Sequence, residues 1–141
     1  MQIQQIMTQE HTIRQAYINT LLDGGFTRLA DKTINPTEGY IVGGVVEPTT
    51  MGLPGVSLFT FTVAEMYDEF KELWHKYDML LHEREASADG AGVGIGTWIH
   101  KEQIYFDLVN NIQDLNIATR MAKRRGEVAI YDCKNQKDIL L

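Results

Sequence analysis

Residues 94–132 read GIGTWIHKEQIYFDLVNNIQDLNIATRMAKRRGEVAIYD, and the fold turns on this stretch. Thr97-Trp98-Ile99 and Ile104-Tyr105-Phe106-Asp107-Leu108-Val109 are two β-prone runs, separated by the polar break His100-Lys101-Glu102-Gln103. Two such runs so close together predict a hairpin. Asn110 and Asn111 are expected to end the second strand and open a helix, because a short amide side chain accepts from the free N–H groups of a first turn. Ile117, Ala118, Met121 and Ala122 recur at helical spacing on one face. Arg120, Lys123, Arg124 and Arg125 bring positive charge to the helix end, where its dipole favours cations. Gly126 is placed to stop the helix, and Val128-Ala129-Ile130-Tyr131 returns as a third strand. A strand–strand–helix–strand unit follows.

Outward from that unit, composition sets the class. A chain of 141 residues suits one domain. At this size roughly two-thirds of the unfolded surface can be buried, so neither a metal nor a disulfide is required for folding. With 44% hydrophobic and 23% charged residues the chain is an ordinary globular one. The single cysteine, Cys133, has no partner within the chain, so nothing points to an oxidising compartment. No apolar run nears the length of a membrane span, and residues 1–15 are too polar for a signal peptide; a cytoplasmic location is expected. A formal net charge of −6 argues against general nucleic-acid binding. It leaves room for one small anion beside the basic run 120–125, although such a run also suits a solvated, dipole-matched helix end.

The first half supplies a second set of elements. Ile13, Ala16, Tyr17, Thr20 and Leu21 share one face of a helix over residues 8–23, with Thr8 or Thr12 as cap and Asp23-Gly24-Gly25 as its end. Phe26-Thr27-Arg28-Leu29 and residues 40–46 are β-prone, with a tight turn at residues 35–39, so a helix and hairpin are expected over 8–46. Gly43-Gly44 interrupts the second strand, either as a bulge or as a place where a ligand or neighbouring backbone approaches. Residues 47–56 are the most loop-like segment, a possible flap or subunit arm, and residues 57–61 a small strand or a lead-in. Thr62-Val63-Ala64-Glu65 forms a capping box that opens the longest helix, residues 62–84. Its stripe is Met66, Phe70, Leu73, Trp74, Tyr77, Leu80 and Leu81, suited to a core or to a subunit or host-protein contact. The glycine-rich stretch 86–96 lies between helix and strand and lacks Gly-Lys-Ser/Thr, so it fits a flexible link better than a phosphate loop. Residues 132–137 form a turn that holds Cys133, expected to be inert, and residues 138–141 a final strand or docked tail. The expected fold class is α+β: an antiparallel sheet with a long central helix and the C-terminal unit.

No catalytic constellation emerges. His75 and His82 stand seven apart without the spacing of a metal motif, and Asp107, Asp114 and Asp132 converge only if the fold demands it. The last third instead carries equipment for recognition. Trp98 and Tyr105 offer flat apolar surface, Asn110 and Asn111 both donors and acceptors, and Arg120, Arg124 and Arg125 anion-pairing forks. These seven residues form the candidate ligand site; no catalytic residue, metal or cofactor is assigned.

The stretch GTWIHKEQIYFDLVNNIQDLNIATRMAKRRGEVAIYD resembles the C-terminal half of small proteins encoded mainly by bacteriophages and some bacteria. The shared pattern is Gly-x-Trp before a short turn, a strand of Tyr, then an aromatic or Leu, then Asp, a polar N-cap, a helix, and a strand of Gly or Asn followed by x-x-Ala-Ile-aromatic-Asp. GGFTRL and NPTEGYIVGG extend the likeness into the first half. Some small phage proteins of this build are similar to anti-Thoeris sponges, which capture cyclic ADP-ribose isomers or cyclic oligonucleotides without cleaving them. The resemblance implies a non-enzymatic homo-oligomer in the host cytoplasm. It would bind a small anionic nucleotide between subunits through aromatic and arginine side chains and so blunt an anti-phage defence. The alternative is a phage accessory or structural protein-interaction factor with no small-molecule ligand.

Overall fold

The computed structural model describes the backbone of residues 3–52, 60–85 and 92–141, with side chains over 9–52, 66–84 and 92–141. In chain order the elements are α1 (Ile3–Asp23), β1 (Gly25–Leu29), β2 (Tyr40–Val42), β3 (Thr49–Gly52), α2 (Thr60–Glu85), β4 (Val93–His100), β5 (Gln103–Ile112), α3 (Leu115–Arg125), β6 (Ala129–Asp132) and β7 (Lys137–Leu140). The fold is α+β, an antiparallel sheet with strand order β1-β4-β5-β2-β6-β7 and β3 on the same edge of β5 as β2.

The β4–β5 hairpin is the centre of the sheet. Lys101 and Glu102 both take positive φ, 48° and 64°, the conformation of the tight two-residue turns that match strand twist. The eight pairs between Val93↔Asn110 and His100↔Gln103 run without a break. Strand alternation then sorts the side chains. Ile104, Phe106 and Leu108 pack with Ile13, Tyr17, Phe70, Trp74, Tyr77 and Leu81 in the larger cluster, under α1 and α2. Ile112, of the same parity, packs on a second cluster of Val42, Ala118, Ala122 and Ile130 under α3. The described helices therefore cover one face of the sheet, and the odd-numbered residues of β5 point to the other.

The apolar stripe of α2 is absorbed by this core: Phe70 is stacked with Trp74 at 6.2 Å and tilted on Phe106 at 4.8 Å. Burying one such side chain contributes about 2–3 kcal/mol. Phe70, Trp74, Tyr77 and Leu81 are buried, and Met66, Leu73 and Leu80 pack partly buried beside them. Polar bonds fix the helices to the sheet. Thr20 Oγ1 lies 2.6 Å from Thr97 Oγ1, joining α1 to β4. Buried Arg28 donates from Nη2 to Asp78 Oδ1 at 2.7 Å, joining β1 to α2, with its guanidinium 5.7 Å from the Trp74 ring centre.

Several expectations are corrected. β1 pairs with β4, while β2 pairs with β5 and β6, so the two strands of the first half do not form a hairpin. Helix α1 begins at Ile3, upstream of both threonines offered as caps. Thr60 and Phe61 are already helical, and the side chains of the capping box lie outside the described residues. Within the loop-like segment 47–56, Thr49–Gly52 is a strand, because the free edge of β5 gives its backbone a partner. The rest of that segment, 53–56, lies outside the described residues, as do 57–59 and 86–91. Gly94 and Gly96, assigned to the flexible link, are buried in β4. A Cβ on Gly94 would stand 2.6 Å from Arg28 O and 2.8 Å from Leu29 Cα, so close packing against β1 demands glycine there.

Candidate functional site

Trp98 and Tyr105 are directly opposed across β4 and β5. Their rings stack at 5.4 Å between centroids with an interplanar angle of 8°, and the His100 ring lies 6.2 Å from Tyr105. All three occupy the sheet face away from the helices. Gly25 of β1 stands opposite Trp98, so β1 places no side chain beside the indole at that register position. Thr50, opposite Tyr105 on β3, is small and exposed. A half-buried aromatic platform results.

The polar members lie elsewhere. Helix α3 is capped not by Asn110 or Asn111 but by Asp114, whose Oδ1 accepts from Ile117 N at 3.0 Å. β5 continues to Ile112 because Asn110 and Asn111 pair with Val42 and Ile41 of β2. Asn111 Nδ2 donates to Glu38 O at 3.0 Å, and its Oδ1 accepts from Gln113 Nε2. Gly126 ends α3 at φ 77°, as expected.

The three arginines diverge. Arg125 folds back onto the sheet: Nη1 donates to Gly43 O at 3.1 Å and Nη2 to Asn110 Oδ1 at 2.8 Å. Arg120 and Arg124 are one helical turn apart on the side opposite Ala118 and Ala122, exposed, and without an ion pair among the described residues. Tyr105 and Asn110 are five residues apart on β5, about 17 Å at strand rise. Arg120 and Arg124 stand on the helical side of the sheet and the aromatic pair on the other. Within one chain the seven residues therefore do not meet: the aromatic pair, the Asn110–Arg125 pair, Asn111, and the exposed Arg120 and Arg124 lie apart.

Beside Arg125 lies a cluster that sequence inspection left unassembled. Between Val42↔Asn110 and Thr49↔Phe106, residues 43–48 loop out beside residues 107–109, so Gly43-Gly44 opens a wide bulge. Asp107, 1% exposed, accepts from Gly44 N at 2.6 Å through Oδ2 and from Leu108 N at 2.8 Å through Oδ1. A Cβ on Gly43 would stand 2.6 Å from Glu127 Oε1 and 2.9 Å from Asp107 Oδ2, so glycine alone leaves room for both carboxyl groups. Burial pushes the Asp107 carboxyl up to about 7. The two N–H donors and Arg125 pull it down, while Glu127 pushes it up. Glu127 is also raised, by burial first. The available signals were an aspartate inside an apolar run and paired glycines in a strand; their meeting depends on the bulge. Both Asp107 oxygens are engaged by backbone donors, so the cluster holds the bulge and α3 on the sheet.

Among the described residues, no three histidine, cysteine or carboxylate side chains are placed to hold a metal. His82 Nε2 lies 3.7 Å from Asp78 Oδ2, and His75 borders a cavity of about 20 Å³ beside Arg28. Cys133 is buried, and burial, aided by Asp132, raises its thiol to about 11, away from reactive thiolate character. No described helix is long and apolar enough to cross a membrane. Comparison with known proteins finds no matching family model, curated protein or solved structure.

Proposed function

We propose that the chain is a non-enzymatic binding protein that sequesters a nucleotide-derived anion, a cyclic ADP-ribose isomer or a cyclic oligonucleotide, at a site completed by a second copy. The carrying observation is the parallel Trp98–Tyr105 pair, held half-exposed on the sheet face free of helices. A base stacked on such a surface gains contact area at small entropic cost, because the rings are already ordered by the strands. The exposed guanidinium groups of Arg120 and Arg124 supply phosphate-pairing forks on another surface. Their separation from the aromatic pair is the reason for a shared site: a ligand on the platform of one copy would take its phosphate contacts from α3 of another. Arg125 and Asn110, joined to each other, contribute to the frame of α3 instead of the ligand. Interference with an anti-phage defence follows from the resemblance to phage-encoded sponges.

The test is titration calorimetry of the protein against cyclic ADP-ribose isomers and cyclic dinucleotides, repeated with Trp98→Ala and with Arg120→Ala/Arg124→Ala. Binding that weakens at least tenfold in both variants, with the ligand recovered unchanged after denaturation, is the expected result. Absence of binding by every member of the panel, or recovery of a cleaved product, would refute it.

A further inference from the structure

Along its main path the sheet ends on β1 at one side and on β7 at the other, with the short strand β3 off that path on β5. The β1 edge is closed by the chain itself. Leu29 N–H donates to Thr33 O at 2.8 Å, Asn35 N–H to Thr27 O at 2.7 Å, and Thr27 N–H to Asn35 Oδ1 at 2.9 Å. On β7 no such cover exists among the described residues.

The ladder between β6 and β7 shows which groups that edge presents. Leu141 N–H donates to Val128 O at 3.0 Å, and the pairs continue through Ile139↔Ile130 to Lys137↔Asp132. In an antiparallel ladder alternate residues turn both backbone groups toward the same neighbour. Leu141, Ile139 and Lys137 thus face β6, while Asp138 and Leu140 direct their N–H and C=O groups outward. Exposed apolar side chains crowd the same corner: Val128 is 80% exposed, Leu140 81%, Leu141 40% and Tyr131 38%. An open edge with apolar flanks is a template for strand pairing.

We propose that β7 pairs antiparallel with β7 of a second copy, about a two-fold axis through Ile139. The spacing of the outward groups sets the register, and a second β7 meets it with the same spacing. Asp138 of one copy and Leu140 of the other exchange two hydrogen bonds, and the symmetric pair exchanges two more, so all four outward donors are satisfied. Ile139 then meets its own copy on the axis, on the face where it already packs against the second core cluster, which becomes continuous across the dimer. The same β7 edge on each copy makes the contact self-complementary and closed, as two-fold interfaces require. The contact stands independently of any ligand.

The test uses the full chain. Leu140 is exposed in the single chain, so Leu140→Asp leaves the fold in place, but it sets a carboxylate directly opposite Asp138 of the second copy, twice per dimer. Sedimentation equilibrium is expected to show a dimer for the wild type and dimerisation weakened on the order of tenfold or more for Leu140→Asp. Asp138→Lys/Leu140→Asp restores opposite charges in this register and is expected to recover the dimer. Amide exchange provides a measure that needs no substitution: Asp138 and Leu140 slow as concentration rises, while Ile139 and Leu141 are protected throughout. A wild type that stays monomeric, an oligomer unmoved by Leu140→Asp, failure of the double variant to recover, or exchange at Asp138 and Leu140 independent of concentration would each overturn the proposal.

Discussion

Replacing Asp107 by asparagine should change the sign of its effect on stability with pH. Asp107 ionises at about 7 in the folded chain, against an ordinary carboxylate near 3.8. Below about 3.8 the group is neutral in both states and costs nothing. As pH rises, the unfolded chain releases the proton first, and stability declines until the folded group also ionises near 7. The difference is about three pKa units, so about 4 kcal/mol is lost over that window, with no further loss above it. The amide introduced by Asp107→Asn does not titrate, but it can accept from only one of Gly44 N–H and Leu108 N–H, which costs about 1–3 kcal/mol at every pH. The variant should be less stable than wild type at pH 4, by about 1–3 kcal/mol, and more stable at pH 8.5, by a similar amount. Urea unfolding at each half unit of pH, followed by tryptophan fluorescence, gives the difference curve, in which the titration of carboxyl groups distant from Asp107 cancels and, among the described carboxyl groups, only Glu127 is coupled to it. Unchanged m-values would exclude an altered unfolded state. A difference that stays constant from pH 4 to 8.5 would refute the assignment of a neutral, buried Asp107.

Three further outcomes are expected. Asp78→Ala strands the buried Arg28 guanidinium and should cost about 3–5 kcal/mol in urea unfolding, whereas Arg28→Met, which removes the buried charge itself, should cost much less; equal losses would contradict this. Gly94→Ala should destabilise by about 3 kcal/mol, since its Cβ meets backbone of β1, and Gly96→Ala by less, since its nearest neighbour is the Val109 side chain at 2.7 Å; equal melting temperatures would count against the close approach of β1. Lys101→Asn with Glu102→Gly puts the preferred residues into the positive-φ turn and should stabilise by about 1 kcal/mol, measured by thermal unfolding; a loss of stability would mean a different turn geometry.

The division of the candidate site has a consequence for binding experiments. Because Arg120 and Arg124 stand on the helical side of the sheet and Trp98 and Tyr105 on the other, a monomeric variant should lose any contact that needs both. The β7 contact leaves both α3 helices on one face of the joined sheet and both aromatic pairs on the other, so a shared site needs a second surface, and titrations with Leu140→Asp should match the wild type.

The types and order of the elements in residues 94–132 were legible in sequence because local rules govern them. A β-prone run, a polar turn, an Ala118–Ala122 face and a terminal Gly126 need no distant partner to be recognised. The central role of Phe70, Trp74 and Tyr77 was legible for the same reason, since helical spacing puts them on one face. What sequence could not decide were matters of pairing. β1 lies against β4 and not β2 because Gly94 lets its backbone approach. Residues 49–52 become a strand only because β5 has an edge to offer, and Asn110 and Asn111 stay extended because β2 pairs with them. Strand parity then put Trp98 and Tyr105 on one face while α3 carried Arg120 and Arg124 on the other, and the bulge at Gly43-Gly44 brought Asp107 to Glu127. Local propensity follows from each residue and its near neighbours; register, sheet order and the face a side chain takes are set by contacts between segments far apart in the chain.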